Sequence, residues 1–271
     1  MVPVLLATAL WALAGPATAQ SGDAPQIGQV SKDSVWVPTP ERVIRRMLQM
    51  ADVTADDLVV DLGSGDGRIP IYAGRHFRAR AVGVELEENL VQLATASAQA
   101  QGVADRVRFV RQDLFAYDLS DATVVALYIS PGVMARLEPR LAALAPGTRI
   151  TSHFFPLGAW PPDETIRVED RTAHLWIVPA DVRGTWTVRS GGDVFKVSID
   201  QRYQQLKTRG ERAGREIPVI APRIRGTEIS FSAVDPAGDV RQYVGRVESA
   251  RMAGESRAEG ALPARWSATR E

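Results

Sequence analysis

The feature that most constrains this chain is an apolar run that passes directly into a glycine-rich loop. Leu58–Leu62 is long enough for one buried strand, and Asp61 places a carboxylate where that strand ends. The loop that follows reads Gly63-Ser64-Gly65-Asp66-Gly67. Glycine permits sharp turns and lets backbone approach a ligand closely. The run therefore predicts a buried strand, a ligand-binding turn and then a helix.

The next part of the chain alternates strand-like and helix-like patterns. The predicted strands are Leu58–Leu62, Ala81–Glu85, Val107–Gln112, Thr123–Tyr128 and Thr148–Phe154, and the predicted helices are Gly67–Phe77, Glu87–Gln101 and Val133–Leu144. This alternation predicts an α/β fold with a parallel sheet and helices on its faces. Two more predicted strands, Thr165–Glu169 and Ala173–Val178, are separated only by Asp170-Arg171-Thr172. Such short spacing predicts an antiparallel hairpin at the sheet edge.

A helix is also predicted before the first strand. Thr39 is a suitable N-cap, Pro40 suits the first helical position, and apolar residues then recur on one helical face. We expect this helix, residues 39–51, to close over the ligand at the glycine loop, with Val37 and Pro38 before it. Arg68 is expected to pair with a carboxylate of the loop.

After Pro179 the pattern changes to short, alternating strands without long helices. We predict four of them, Gly184–Val188, Val194–Ile199, Glu228–Ala233 and Gln242–Val247, which form a small antiparallel unit, either a partial barrel or a curved sheet. Trp186 and Trp266 are expected in its core. The charged, glycine-containing stretch 209–215 is predicted to be a mobile loop.

The N-terminus has the pattern of an export signal. Residues 2–13 are almost wholly apolar, and Ala17-Thr18-Ala19 fits a small-x-small cleavage site, although no Lys or Arg precedes the run. The apolar stretch is too short to span a bilayer. A start further upstream or a buried N-terminal helix are the alternatives. The predicted organisation is a signal peptide (1–19), a linker (20–35), an α/β domain (36–180) and an antiparallel β domain (181–271).

Composition excludes several classes of site and partner. The chain has no cysteine, so thiolate metal sites, catalytic thiols and disulfides are excluded. Lys plus Arg equals Asp plus Glu at 32 each, and this balance provides no global attraction to nucleic acid or anionic membrane. His76 and His174 lack partners at metal-ligand spacing, so no metal site is predicted.

Three acids end three consecutive predicted strands. Asp61, Glu85 and Asp113 therefore meet at one edge of the sheet, where open α/β sheets bind ligands. At these positions Glu85 is suited to accept hydrogen bonds from ribose hydroxyls, and Asp113 from an adenine amino group. A nucleoside cofactor is predicted.

The spacing and charge of the loop indicate which cofactor this is. A dinucleotide loop has the form G-x-G-x-x-G, whereas here Gly67 comes one position early, and Asp61 and Asp66 flank the loop. Carboxylates repel a pyrophosphate but attract a sulfonium and an amino group. The pattern favours S-adenosylmethionine over NAD, with an NAD-dependent oxidoreductase as a weaker alternative.

The segment Asp61–Arg68, with Glu85 and Asp113, resembles the cofactor motifs of class I, seven-stranded S-adenosylmethionine-dependent methyltransferases. The form D-L-G-S-G-D-G-R, preceded by Val37-Pro38-Thr39-Pro40, more narrowly resembles bacterial and archaeal relatives of the seven-stranded protein-lysine methyltransferases. That group includes enzymes similar to the one that methylates a lysine of the ATP synthase c subunit. The resemblance covers residues 36–179 and implies a Rossmann-like seven-stranded sheet. It also implies that Asp61, Gly63, Ser64, Gly65, Asp66, Gly67, Glu85 and Asp113 bind S-adenosylmethionine.

The resemblance places the methyl acceptor at the end of the fourth strand. Tyr128-Ile129-Ser130-Pro131 is similar to that group's variant of the N/D-P-P-Y/F segment, which orients a nitrogen acceptor. Tyr128, Ser130 and Pro131 are therefore catalytic candidates, although a core role for Tyr128 is an alternative. His153 is a candidate base near the end of the fifth strand, with a purely structural histidine as its alternative. The loop 160–163 is expected at the substrate mouth.

We therefore expect an S-adenosylmethionine-dependent methyltransferase that methylates a protein lysine or another amine. The alternatives are an exported S-adenosylmethionine-binding protein without catalysis and a small-molecule O-methyltransferase. The predicted partner is the methyl acceptor, with no nucleic acid and no membrane span in the mature chain. The predicted location is exported or periplasmic, with cytoplasmic as the alternative.

Overall fold

The computed structural model describes residues 37–271, and its first part is a three-layer α/β unit (residues 37–180). The elements are α1 (Glu41–Met50), β1 (Leu58–Leu62), α2 (Arg68–Tyr72), which continues as a π turn (Ala73–Phe77), β2 (Arg80–Glu85), α3 (Glu88–Ala100), β3 (Val107–Arg111), β4 (Val124–Leu127), α4 (Pro131–Ala142), β5 (Arg149–His153), β6 (Glu164–Val168) and β7 (Arg171–Ile177). The seven predicted strands are confirmed to within two residues at each end.

The seven strands form one sheet in the order β3-β2-β1-β4-β5-β7-β6. The first five are parallel, and β7 runs antiparallel to both of its neighbours. The predicted hairpin is confirmed, but β6 lies at the outer edge and β7 returns between β5 and β6. A parallel sheet gathers the carboxyl ends of its strands along one edge, and the acids predicted there come from three of these strands.

Successive side chains of the strands point to opposite faces of the sheet and belong to two apolar layers. Val59 packs in the layer beneath α1, whereas Val60 and Leu62 pack in the layer beneath α4. Both layers are buried, which explains why the strands read as continuous apolar runs and not as alternating ones. The sheet core thereby holds the cofactor loop on a rigid base.

Helix α1 begins one residue later than predicted. Pro40 occupies the N-cap position, Glu41 is the first helical residue, and Thr39 makes no cap. The Thr39 hydroxyl instead lies 3.3 Å from Nδ1 of His153. The tertiary contact with a buried imidazole replaces the local capping bond that the sequence predicts.

The second part of the chain is an all-β unit (residues 181–271), here called the β unit. Its strands are β8 (Gly184–Ser190), β9 (Asp193–Arg202), β10 (Gln205–Arg212), β11 (Arg215–Ile217), β12 (Val219–Arg225), β13 (Glu228–Val234), β14 (Val240–Glu248), β15 (Arg251–Ala258) and β16 (Ala264–Arg270). They form one antiparallel sheet in the order β11-β10-β9-β8-β16-β15-β14-β13-β12. Its two edge strands are joined through Pro218 alone, so the sheet curls until its edges meet.

The prediction of four strands and a mobile loop in this unit was incomplete. Stretch 209–215 lies in the β10–β11 hairpin, whose turn is Ala213-Gly214 with φ of 49° and 75°. Its charges face outward or pair, as Arg212 does with Asp193 at 2.8 Å. Charged side chains that point to solvent are compatible with a strand that is solvated on one face. The density of charged residues in this stretch was therefore a poor predictor of a loop. Trp186 and Trp266 are confirmed in the core.

The loop 160–163, expected at the substrate mouth, lies between the two units instead. Trp160 is only 1 % exposed, and its ring stacks on Tyr203 of the β unit with centroids 5.1 Å apart. The residue that covers the Trp160 ring lies 43 positions further along the chain. The local sequence therefore does not reveal this contact.

The predicted signal segment (1–19) and linker (20–35) lie outside the described residues. Within 37–271, no helix is long and apolar enough to cross a membrane. In the same range, no group of His, Asp and Glu side chains has the arrangement of a metal site.

Candidate active site

A cleft of about 1030 Å³ opens at the carboxyl ends of β1 to β4. This volume includes the solvent-filled space at the mouth of the cleft. Most of the predicted site residues line it, namely Asp61, Gly63, Ser64, Gly65, Asp66, Glu85, Asp113 and Tyr128. The segment before α1 contributes Val37, Pro38 and Thr39, whereas α1 itself, which was expected to close over the ligand, contributes no lining residue. Four predicted residues, Gly67, Ser130, Pro131 and His153, are not among the lining residues.

Asp61 lies at the base of the cleft and is 2 % exposed. Its Oδ1 is buried and has no hydrogen-bond partner among residues 37–271. Burial, reinforced by the charges of Glu85 and Asp66, raises the pKa of the Asp61 carboxyl well above its ordinary value. An unpaired buried carboxyl is costly, so the site is suited to a ligand that brings a positive charge and a hydrogen-bond donor.

Ser64 adds a second buried polar atom beside Asp61. Its Oγ has no partner in the described part of the chain. The loop that carries it is held on the end of β2, because the amides of Gly63 and Ser64 both donate to the Val84 carbonyl, at 2.8 and 3.0 Å. Ser64 and Asp61 therefore both line the cleft, and Ser64 stands on a backbone that β2 fixes.

Glu85 organises the cleft wall from inside. One carboxylate oxygen accepts from the Gly65 amide at 2.9 Å, and the other accepts from the amides of Leu86 and Glu87 at 2.7 and 3.1 Å. The side chain thus joins the glycine loop of β1 to the start of α3. The sequence predicted its position at the end of β2, but this bridging of the two loops was missed.

Gly67 is outside the cleft and serves the packing of the loop. Its φ is +80°, and a Cβ there would lie 2.5 Å from Cζ of Phe109 and 2.7 Å from Cβ of Ala94. The third glycine therefore permits both the left-handed turn and close contact between the loop, β3 and α3.

Arg68 pairs with the loop carboxylate of Asp66, as expected. Its Nε donates to Asp66 at 2.9 Å, and its Nη1 donates to the Thr39 carbonyl at 3.1 Å. This pairing offsets the charge of Asp66, so the acidity of the cleft comes mainly from Asp61, Glu85 and Asp113. It also ties the segment before α1 to the glycine loop.

Asp113 lies at the other end of the cleft, just after β3. Its Oδ1 accepts from the Phe115 amide at 2.8 Å, which fixes the turn after the strand. The side chain is at the cleft wall with Gln112 and Leu114.

The wall at the end of β4 is aromatic. Tyr128 lines the cleft, and its ring centroid lies 4.1 Å from that of His153. His153 is 1 % exposed, and its Nε2 has no partner within residues 37–271. Burial, followed by the charge of Arg171, lowers the pKa of His153 to about 4. The imidazole is therefore neutral at pH 7 and lies behind Tyr128 and Thr39.

Ser130 and Pro131 begin α4 and do not reach the cleft wall. Ser130 occupies the N-cap position, where its carbonyl accepts from the Met134 amide at 3.0 Å, and Pro131 is the first helical residue. Ile129 lines the cleft in their place. Both residues therefore serve to begin α4, and proline is common at the first position of a helix.

Phe154 is an exposed aromatic residue that the sequence analysis did not consider, and it is not among the residues that line the cleft. It is 45 % exposed, has φ of +67°, and follows His153 directly. Its amide donates to the Thr172 carbonyl at 2.8 Å, so β7 holds this unfavourable backbone conformation. Phe155, the next residue, stacks toward Tyr128 with ring centroids 6.3 Å apart. The only signal in the sequence was the pair of phenylalanines after a candidate histidine.

Comparison with known proteins identifies the class of this cleft. Residues 61–164 match a family model described as the ANTKMT methyltransferase domain. A protein-lysine N-methyltransferase of Saccharolobus islandicus is 44 % identical over 149 residues, which cover 53 % of this chain and 92 % of the relative. The adenine nucleotide translocase lysine N-methyltransferase of Mus musculus is 39 % identical over 140 residues, which cover 51 % of this chain and 59 % of that relative.

A solved structure has the same fold. The structure described as an RNA methyltransferase from Salinibacter ruber in complex with S-adenosyl-L-homocysteine is 48 % identical, with a TM-score of 0.53. The similarity covers 54 % of this chain and 96 % of that one. The match to the family model ends at residue 164, before the β unit begins.

Proposed function

We propose that this chain, which belongs to the family of S-adenosylmethionine-dependent protein-lysine N-methyltransferases, methylates the side-chain amine of a lysine in a protein. The observation that carries the proposal is the buried, unpaired carboxyl of Asp61 beside Glu85 and Asp113 in one cleft. The names of two relatives support lysine as the acceptor. A catalytically inactive binding protein and an NAD-dependent enzyme are not favoured by these relatives.

The cleft residues fit the cofactor group by group. When bound, S-adenosylmethionine supplies an electrophilic methyl group on a sulfonium centre. Asp61 and Ser64 would hold its amino-acid end, because their buried oxygens have no partner in the described residues. Glu85 would accept from the ribose hydroxyls and Asp113 from the adenine amine. Negative charge on this side of the cleft also favours a cationic ligand over a pyrophosphate.

On the acceptor side, Tyr128, Ile129 and Val133, which line the cleft, would surround the lysine. A lysine nitrogen must lose its proton before it is nucleophilic, and an apolar, aromatic surrounding lowers the pKa of an ammonium group. These side chains would also exclude water and align the nitrogen with the methyl group.

We further propose that His153 acts as a positioning residue. Its imidazole is buried behind Tyr128, 3.3 Å from the Thr39 hydroxyl, and its low pKa makes it a weak base. It would fix the Tyr128 ring and the segment before α1 in place. The acceptor proton would then leave to solvent as the lysine enters the cleft.

The test is to incubate the purified chain with labelled S-adenosylmethionine and with separate cell-envelope and cytosolic extracts. We expect label in a protein band that protease removes and ribonuclease does not, with mass spectrometry placing the methyl group on lysine. The Asp61→Asn variant should give little label, and Asp121→Asn, an exposed aspartate after β3, should label like the parent chain.

Other outcomes of this experiment identify other acceptors. Label that ribonuclease removes would contradict the proposal and indicate the activity named for the Salinibacter ruber structure. Label only in small molecules would indicate the O-methyltransferase alternative. The predicted export remains a proposal, and labelling confined to the envelope fraction would support it.

A further inference from the structure

One hairpin of the β unit contacts the α/β unit at the loop after β5. The tip between β9 and β10, Tyr203 and Gln204, projects onto the α/β unit. The Tyr203 ring stacks on Trp160 with an angle of 8° between the ring planes, and it packs against the apolar layer beneath α4. Tyr203 has φ of +55°, so the chain adopts an unfavourable conformation to present this ring.

Gln204 makes a matched pair of hydrogen bonds with the loop after β5. Its Oε1 accepts from Nε1 of Trp160 at 2.9 Å, and its Nε2 donates to the Pro161 carbonyl at 2.7 Å. The same loop is bonded to the sheet, because Nε1 of Trp176 donates to the Trp160 carbonyl at 2.9 Å. One glutamine amide therefore satisfies two polar groups of this partly buried loop.

Glu138 of α4 connects the hairpin tip to the loop a second time. Its carboxylate accepts from the Tyr203 hydroxyl and, at 3.1 Å, from the Ala159 amide. The tip is thus bonded to α4 directly and to the loop both directly and through Glu138. Neither unit supplies this set of contacts alone.

The two segments that the tip holds are those that follow the acceptor wall. Helix α4 begins three residues after Tyr128, and the loop 154–163 begins directly after His153. The loop carries Phe154 and Phe155, and the Ser152 hydroxyl donates to the Phe155 carbonyl at 2.7 Å. Phe155 lies beside Tyr128, so this loop connects the residues that contact the tip with an aromatic residue next to the acceptor wall.

We propose that Tyr203 and Gln204 are positioning residues for the acceptor side, so that the β unit is a working part of the methyl-acceptor site. The inference rests on the proposed function. It assigns a role to the part of the chain beyond residue 164, where the match to the family model ends. The glycine loop is bonded to β2 and to Arg68, and β1 with Asp61 is paired to β2 and β4, so no direct hydrogen bond within the described residues links this side of the cleft to the tip.

The test compares Gln204→Ala and Tyr203→Phe with the parent chain. We expect KM for the acceptor protein to rise about tenfold in Gln204→Ala, a change that corresponds to about 1.4 kcal/mol. The dissociation constant for S-adenosylmethionine should stay within about twofold of the parent value. Gln204→Glu keeps the acceptor for Trp160 but loses the donor to Pro161, so its KM should lie between those of Gln204→Ala and the parent.

Matched controls are present in the same unit. Gln242→Ala changes an exposed glutamine of β14, and Tyr243→Phe removes a hydroxyl that has no partner within the described residues. Neither residue contacts the loop after β5, and both variants should keep the parent's KM.

Hydrogen exchange provides a readout that does not need activity. Amides of residues 154–163 should exchange faster in Gln204→Ala and Tyr203→Phe, whereas those of residues 61–68 should not change. Unchanged exchange and unchanged KM, or an equal loss of cofactor affinity, would overturn the inference. A parent chain that labels no protein would instead contradict the proposed function while the exchange result still decides the role of the tip.

Discussion

At the scale of single residues, Asp61 sets the chemistry of the cleft. Its carboxyl is held by the strand end in a position with no solvent and with two other acids nearby. Such a group is costly in the free protein and useful when a cation binds. The same buried carboxyl therefore destabilises the ligand-free protein and increases its affinity for a cationic ligand.

The first prediction concerns Asp61→Asn. Above the raised pKa of Asp61, ionisation of this buried group destabilises the folded state, and the loss accumulates as pH rises through the interval between the ordinary and the raised pKa. The variant should therefore unfold at a higher temperature than the parent at pH 8 without ligand. It should also bind S-adenosylmethionine about 10 to 100 times more weakly, as expected for a lost charged hydrogen bond.

Thermal unfolding and isothermal titration measure the two effects. Asp121→Asn is the control and should change neither quantity. A variant that is both less stable and equally able to bind would show that Asp61 has a structural role only.

The second prediction concerns His153. Its pKa is about 4 in the folded chain and ordinarily about 6.5, so the unfolded state binds more protons between these values. This residue therefore destabilises the fold as pH falls from 6.5 to 4, by about 3 kcal/mol at the lower end. In urea unfolding, the free energy of unfolding of His153→Gln should depend less on pH than that of the parent. Part of the dependence should remain, because the pKa of His174 is also lowered.

His76→Gln is the matched control, because His76 is exposed. Its pH dependence should equal that of the parent. If His153→Gln also retains the full slope, the imidazole is not the buried, neutral group described above.

At the scale of elements, the junction of β1 and α2 depends on a single close contact. Gly67 brings the loop against Phe109 of β3 and Ala94 of α3 at distances that leave no room for a Cβ. The cofactor loop is therefore positioned by packing on two neighbouring elements as well as by its own conformation.

The third prediction uses two glycines with similar backbone angles. Gly67→Ala should be strained and overpacked, whereas Gly102→Ala, with φ of +69° and no described atom within 4 Å, should be strained only. We expect the free energy of unfolding to fall about 2 kcal/mol further in Gly67→Ala than in Gly102→Ala. Urea denaturation measures this difference, and equal losses would mean that the contact with Phe109 relaxes freely.

At the scale of the whole molecule, two apolar cores are joined by the polar and aromatic contact of the hairpin tip and by the turn between β12 and β13, where the Gly226 carbonyl accepts from the Ala180 amide at 2.8 Å. The core of the β unit contains Trp186 and Trp266, and the hairpin tip with Tyr203 packs on the other core. The contact includes several hydrogen bonds with buried partners, so opening it exposes groups that are costly to leave unpaired.

The fourth prediction is that the two units share their stability. A ligand at 100 times its dissociation constant stabilises the folded state by about 2.7 kcal/mol. S-adenosylhomocysteine should therefore slow hydrogen exchange in β14 and β15 of the parent chain, far from the cleft. In Gln204→Ala this protection should be confined to residues 37–180. If the ligand slows exchange only in residues 37–180 of the parent chain as well, the two units unfold independently.

Sequence reasoning was most successful where local pattern and chemistry coincide. The strand before the glycine loop, the three acids at successive strand ends and the parallel order follow from apolar runs and helix spacing, which act over a few residues. The start of α1 was predicted wrongly because the Thr39 hydroxyl contacts the His153 ring, 114 positions away, and does not cap its own helix. The strands of the β unit were undercounted because charged outward positions resemble loop residues.

The sequence by itself determined the cofactor side of this protein, since one strand, one loop and two further strand ends carry Asp61, Asp66, Glu85 and Asp113. Only the tertiary structure decided the acceptor side. There, Phe154 is exposed by a backbone conformation that β7 holds, His153 is neutral because neighbouring elements bury it, and Gln204 meets Trp160 from 44 positions away. Burial and partners of this kind come from the packing of distant segments, and no local spacing encodes them.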